Sequence, residues 1–273
     1  YELTGAGPAR SRLQAAAARG LTRFIGREAE METLRRAVER GSAGHGQVVA
    51  LVGEPGVGKS RLFWEFTQSH RTQGWLMLES SSVSFGKATA YLPLIDLLRA
   101  YLQLEDRDTT QRVREKVTGK VLTLDERLKD AIPPMLWLLE ALPEDDPFRA
   151  LDPRQRPGRI LEAVKQLLLR ESQRQPVMLV FEDVHWIDPS SLDVIKDLLA
   201  QLQGARVLIL LLSRSEFPDL KDLAVERVHL ALSVLTPSEA RDLIEGLLAI
   251  ADFPETIKEH IQRKSGGNPF YVE

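Results

Sequence analysis

The sequence contains no cysteine among its 273 residues. That excludes disulfide bridges, thiolate metal sites and cysteine nucleophiles. Histidines are few, five in all, and scattered without metal-ligand spacing. Long apolar runs are missing too: a stretch such as Val207 to Leu212 is far too short to span a bilayer, so no membrane contact is expected. Neither sign of charge dominates, with a formal net charge of −3, so no global pull toward nucleic acid or anionic lipid operates. No basic stripe or recognition-helix pattern is evident, and direct nucleic-acid binding is not expected. There is no internal repeat and no low-complexity segment. What is present is 43% hydrophobic residues, ample for one large α/β domain or a core domain with a small helical one.

Residues Gly53 to Ser60 read GEPGVGKS and match G-x-x-x-x-G-K-[ST], a phosphate-binding P-loop. The apolar run Gln47 to Val52 before it reads as a strand, and Arg61 to Phe66 after it has helical spacing. Glycines at 53, 56 and 58 let the backbone turn its N–H groups around an anion, and the helix beginning near Lys59 adds its positive end. Lys59 offers a mobile charge to the β- and γ-phosphates, and Ser60 a hydroxyl to Mg²⁺. The nucleotide-contacting set on this loop is Gly53, Glu54, Pro55, Gly56, Val57, Gly58, Lys59, Ser60 and Arg61.

A second apolar strand, Val177 to Phe181, ends in Glu182-Asp183, the arrangement of a Walker B motif. One carboxylate holds Mg²⁺ and the next orients or activates a water. Because Glu182 stands where Asp is usual, the roles are assigned as Glu182 to the metal and Asp183 to the water, with a swap left open. Asp188 and Pro189 have the pattern of an N-cap and first helical residue. His185 and Trp186 are expected to pack beneath the site. The following strand ends at Arg214, which is placed to reach a γ-phosphate. Lys59, Glu182, Asp183 and Arg214 form the expected catalytic set, and Ser60, Glu182 and Asp183 the metal set.

The core strands are continuous apolar runs, which indicates strands buried on both faces and hence a parallel sheet between helices. The fold expected is an α/β P-loop core with a mostly parallel five-stranded sheet and a small C-terminal helical lid. Helices are expected at 28–40, 160–171 and 191–202. Strands are expected at 75–79, 206–212 and 225–232. Region 85–160 reads as a helical insertion, with Pro133, Pro134 and Pro143 interrupting its helices and a Pro-rich loop at 143–157. Thr236-Pro237-Ser238-Glu239 opens a helix in capping-box style. Residues 1–27 carry five arginines and one acid. That composition fits a transit peptide or a linker from an upstream domain, and 1–21 is taken as a linker. The core is then 22–235 and the lid 236–273.

These pieces together resemble the STAND signal-transduction ATPases, regulatory relatives of AAA+ proteins, over roughly residues 22–273. The family's hhGRE motif is matched by Phe24-Ile25-Gly26-Arg27-Glu28, its strand-4 arginine by Arg214, and its late G-x-P motif by Gly267-Asn268-Pro269. FIGREAEM, GEPGVGKSRLFWEF, FEDVHWIDPSS and SGGNPFYVE are similar to the ATPase module of bacterial multidomain cyclase-like proteins, and a related module occurs in large transcriptional activators. The resemblance implies that Phe24, Ile25, Gly26, Arg27 and Pro269 lie near the base and that ATP/ADP with Mg²⁺ is the cofactor. It also implies adjacent cyclase or repeat domains as partners, homo-oligomers, and a cytoplasmic setting. The expected function is a regulatory ATPase with slow hydrolysis and a lid that responds to nucleotide. The alternative is a non-catalytic nucleotide-binding scaffold, which the Glu182 departure keeps alive. A small-molecule kinase lacks any acceptor-site signature.

Overall fold

The central sheet has five parallel strands in the order β2-β3-β4-β1-β5. The computed structural model describes residues 20–69, 72–82, 89–214, 227–248 and 254–272. In chain order the elements are α1 (Glu28–Ser42), β1 (Gln47–Val52), α2 (Lys59–Thr67), β2 (Leu76–Ser81), α3 (Leu92–Tyr101), α4 (Thr110–Leu124), α5 (Ile132–Leu138), α6 (Arg156–Arg174), β3 (Val177–Glu182), α7 (Pro189–Leu199), β4 (Val207–Ser213), β5 (Arg227–Ala231), α8 (Pro237–Leu248), α9 (Glu255–Ser265) and α10 (Pro269–Val272). Of the linker expected at 1–21, residues 1–19 lie outside the described set, as do 85–88 of the insertion, 225–226 of the fifth strand and Glu273.

Strand alternation builds the two faces of the core. Leu179, Phe181, Ile209 and Leu211 pack on one face with residues of α3 to α7, while Met178, Val180, Leu208 and Leu210 face α1 and α2 on the other. The three inner strands are buried on both sides, as continuous apolar runs demand. The outer strands β2 and β5 are partly exposed, and both are more polar. A third small cluster, Leu235, Ala240 and Leu243 with Ile25 and Val272, holds the C-terminal helices together.

Two expectations about the insertion need correction. Pro133 and Pro134 do not interrupt a helix; they occupy the first turn of α5, where a missing N–H costs nothing. Helix α6 starts at Arg156, with Pro157 in its first turn, so the Pro-rich loop is shorter than expected and contains a 3₁₀ turn at Pro147–Ala150. Asp188 caps α7 as expected, accepting a bond from Ser191 N at 2.9 Å, and also accepts one from Tyr91 N at 3.0 Å. The cap therefore ties the insertion to the loop after β3. Thr236 and Glu239 form the reciprocal capping box of α8.

Candidate nucleotide site

The P-loop crosses from β1 to α2 beneath a cleft of about 470 Å³. Walls of the cleft include Phe24, Lys59, Ser60, Asp183, Arg214 and Pro269, so residues far apart in the chain converge there. Parallel pairing explains this: β1, β3 and β4 are neighbours, and their C-terminal ends open on one edge of the sheet.

Gly56 and Gly58 hold positive φ values of 86° and 97°, which turns the loop back on itself ahead of α2. Gly53 is glycine for a different reason than a left-handed turn. A Cβ there would sit 2.7 Å from Leu232 O and 2.9 Å from Val57 Cγ2.

Lys59 Nζ donates to the carbonyls of Gly53 at 2.6 Å and Glu54 at 3.0 Å. Burial lowers its pKa, Asp183 works against that, and the nearby Arg214 guanidinium lowers it further. Burial pushes the Glu182 carboxyl up. The Ser60 hydroxyl hydrogen-bonds it and pulls the other way, while Glu79 and Asp183 add like-charge repulsion. Glu79 lies opposite Val180 in the β2–β3 register, two residues from the partner of Glu182, so both acids share one face of the sheet. The Lys59 ammonium pulls the same way as the hydroxyl. Among the described residues no group of three or more His, Cys, Asp or Glu side chains is arranged to hold a metal ion, so the hydrogen-bonded Ser60 hydroxyl and Glu182 carboxylate are the oxygen pair that fits a divalent cation beside bound phosphate.

Asp183 adopts the left-handed backbone conformation, φ 52° and ψ 43°, which Asp tolerates better than most residues. Its Oδ1 lies 3.9 Å from Arg214 Nε and 3.9 Å from His185 Nε2. The His185 and Trp186 rings lie 5.1 Å apart, tilted by 46°.

The upstream motif lies at the cleft and also braces its walls. Phe24, Ile25 and Arg27 line the cleft. Gly26, with φ 70°, is pressed against the Glu239 side chain of the capping box. The Arg27 guanidinium, 6% exposed, donates to Val57 O at 3.1 Å and Ser233 O at 2.6 Å, and pairs with Glu30. Arg61 pairs with Glu65, donates to Thr22 O at 2.6 Å, and lies 5.9 Å from the Phe24 ring centroid, holding the 22–24 segment on the cleft wall. Glu54 faces solvent, and only its carbonyl takes part in the loop's bonding.

Several contributors were not assigned a site role from the sequence. Leu21 to Arg23 line the cleft although they precede the hhGRE match. Glu79 reaches Glu182 from a neighbouring strand. Asn268 Nδ2 donates to Pro55 O at 2.9 Å. An acid at the end of the strand expected at 75–79 was the available signal for Glu79, which the structure places inside β2; Asn268 had only its position inside the G-x-P match.

A P-loop, an acidic strand end and a basic strand end gathered at one edge of a parallel sheet define the nucleotide site of a P-loop ATPase. The AAA ATPase domain family matches residues 23–211, and this chain belongs to it. An uncharacterized protein of Rhizobium meliloti (strain 1021) is 28% identical over 261 residues, covering 92% of this chain and 24% of the relative. The chain therefore spans about a quarter of that relative's length. Drosophila ORC bound to DNA superposes with a TM-score of 0.54 at 14% identity, over 99% of this chain and 60% of that one, a likeness of fold. A STAND protein with a tetratricopeptide repeat sensor from Pyrococcus horikoshii gives a TM-score of 0.46 at 15% identity, over 90% of this chain and 28% of that one. Among the described residues no helix is long and apolar enough to cross a membrane.

Proposed function

We propose that this nucleotide-binding ATPase module hydrolyses Mg-ATP slowly to ADP and that its C-terminal helices, 236–273, act as a lid responding to the nucleotide. The observation that carries the reading is the convergence of Lys59, Ser60, Asp183 and Arg214 on one cleft that Pro269 also lines.

The residues divide the work by position. Backbone N–H groups around Gly56 to Lys59 cradle the phosphates at the start of α2. Lys59 leaves the Gly53 and Glu54 carbonyls for the β- and γ-phosphates. Ser60 and Glu182 would hold Mg²⁺, which would supply neutralisation of phosphate charge. Asp183 orients the attacking water and accepts its proton, and Arg214 contacts the γ-phosphate. ATP reaches both Lys59 and Arg214, whereas ADP lacks the γ-phosphate, so the two nucleotides favour different placements of the lid. The segmentation into a linker at 1–21, a core at 22–235 and a lid at 236–273 belongs to this reading. So do a signalling role beside other domains and self-assembly.

The absence of cysteine makes the switch accessible to labelling. Dyes at Arg36→Cys on α1 and Glu259→Cys on α9, both exposed, report the core-to-lid distance. Different distances in Mg-ATP and Mg-ADP are expected. Identical distances would remove the switch and leave the scaffold reading.

A further inference from the structure

Each P-loop carbonyl from Gly53 to Val57 accepts a hydrogen bond, and the donors fall into two groups. Gly53 O and Glu54 O are held from within the loop, both by Lys59 and the second also by Val57 N at 3.4 Å. Pro55 O, Gly56 O and Val57 O are held from outside it: by Asn268 Nδ2 at 2.9 Å, Phe270 N at 3.3 Å and Arg27 Nη2 at 3.1 Å. The first two of those outside donors belong to the turn that begins α10. The third is the guanidinium that also binds Ser233 O, just before the C-terminal helices begin. The tip of the loop, Pro55 and Gly56, is thus held on its carbonyl side by the turn that begins α10, and Val57 by Arg27.

Asn268 is the side chain in this arrangement that acts across the boundary from the C-terminal side. It is 8% exposed, and its amide orientation is fixed twice over, because Oδ1 accepts from Phe270 N at 3.1 Å while Nδ2 donates to Pro55 O. It also fills the space against Gly56: a Cβ there would lie 2.6 Å from Asn268 Oδ1.

We propose that Asn268 is a positioning residue for the nucleotide: its amide fixes the Pro55–Gly56 tip of the P-loop, so the docked C-terminal turn sets how long the nucleotide stays bound. The inference rests on the nucleotide reading above. Coupling runs through the loop backbone, independently of any contact between the turn and the base. When Lys59 turns toward phosphate, Gly53 O loses its donor and Glu54 O keeps Val57 N at 3.4 Å, so the tip then depends more on Asn268, Phe270 and Arg27.

The test uses the full chain and stopped-flow release of a fluorescent Mg-ADP analogue. Asn268→Ser keeps a short acceptor for Phe270 N but cannot reach Pro55 O. Asn268→Asp keeps the local acceptor and the shape while turning a carboxylate oxygen toward that carbonyl. Both variants are expected to release nucleotide about tenfold faster, the scale of one lost hydrogen bond, with association little changed. Release at the wild-type rate in both, with or without a lowered Tm, would assign Asn268 to local structure alone and overturn the inference. Faster release confined to Asn268→Asp and abolished by salt would reduce the effect to charge repulsion and overturn it as well. If Asn268→Ser fails to fold, Asn268→Asp at high ionic strength carries the test. Wild-type protein that binds no nucleotide would overturn the nucleotide reading itself, which is distinct from binding with unaltered variants.

Discussion

Arg214 and Asp183 stand at the ends of neighbouring strands with Nε and Oδ1 3.9 Å apart. Both side chains are about half exposed, so the attraction is weak and easily exchanged for another partner. In the proposed mechanism a γ-phosphate arriving between Lys59 and Arg214 would compete for that guanidinium and free Asp183 to face a water. Arg214→Ala should therefore keep nucleotide binding and slow hydrolysis about a hundredfold, the usual scale for losing one charge-stabilising donor. Hydrolysis at the wild-type rate would place Arg214 outside the chemistry.

Asp183→Asn is a clean probe because Asn tolerates the left-handed backbone at this position as well as Asp does. Binding should change little, and hydrolysis should fall by about a hundredfold or more, the contribution of a positioned base. Full activity in the variant would contradict the assignment of Asp183 to the water.

Lys59→Ala removes the loop's own cation. Equilibrium titration should show Mg-ATP affinity reduced about a hundredfold or more, since charge-assisted bonds to phosphate are among the strong ones. Affinity within about threefold of wild type would mean that the backbone cradle alone holds the phosphates.

Asp125 supplies a prediction about stability. It caps the 3₁₀ turn after α4 and pairs with Arg127 and Arg170, both at 2.8 Å, so it ties the insertion to α6. Hydrogen bonds from Arg127 hold its pKa down, from 3.8 to about 2. A depressed carboxylate stabilises the fold above its unfolded pKa and loses that contribution as pH falls through the folded one. Thermal melts of Asp125→Asn should show lower stability at neutral pH, and a shallower loss than wild type between about pH 4 and pH 2. Parallel acid limbs in the two proteins would show that these pairs carry no linkage.

The parts legible in the sequence are those whose physics is local. β1, β3 and β4 were readable because burial on both faces demands unbroken apolar runs. The P-loop and the Glu182-Asp183 pair were readable because each motif is contiguous. Pro133 and Pro134 misled because proline ends one helix and begins another with the same residue type. Arg27 was matched by its motif, yet its partners Val57 and Ser233 lie 30 and 206 residues away. Asn268 meets Pro55 across a separation of 213 residues, and no local pattern encodes a bond of that range. Gly53 was read as a turn former, whereas its need for glycine comes from Leu232, brought beside it by the pairing of β1 with β5.

The central claim is that this cleft binds Mg-ATP and converts it. The most direct measurement mixes excess protein with radiolabelled Mg-ATP for a single turnover and separates bound nucleotide from product over time. The account predicts slow conversion of bound ATP to ADP that remains on the protein, abolished by Asp183→Asn. ATP that stays bound and unconverted in the wild-type chain would contradict it.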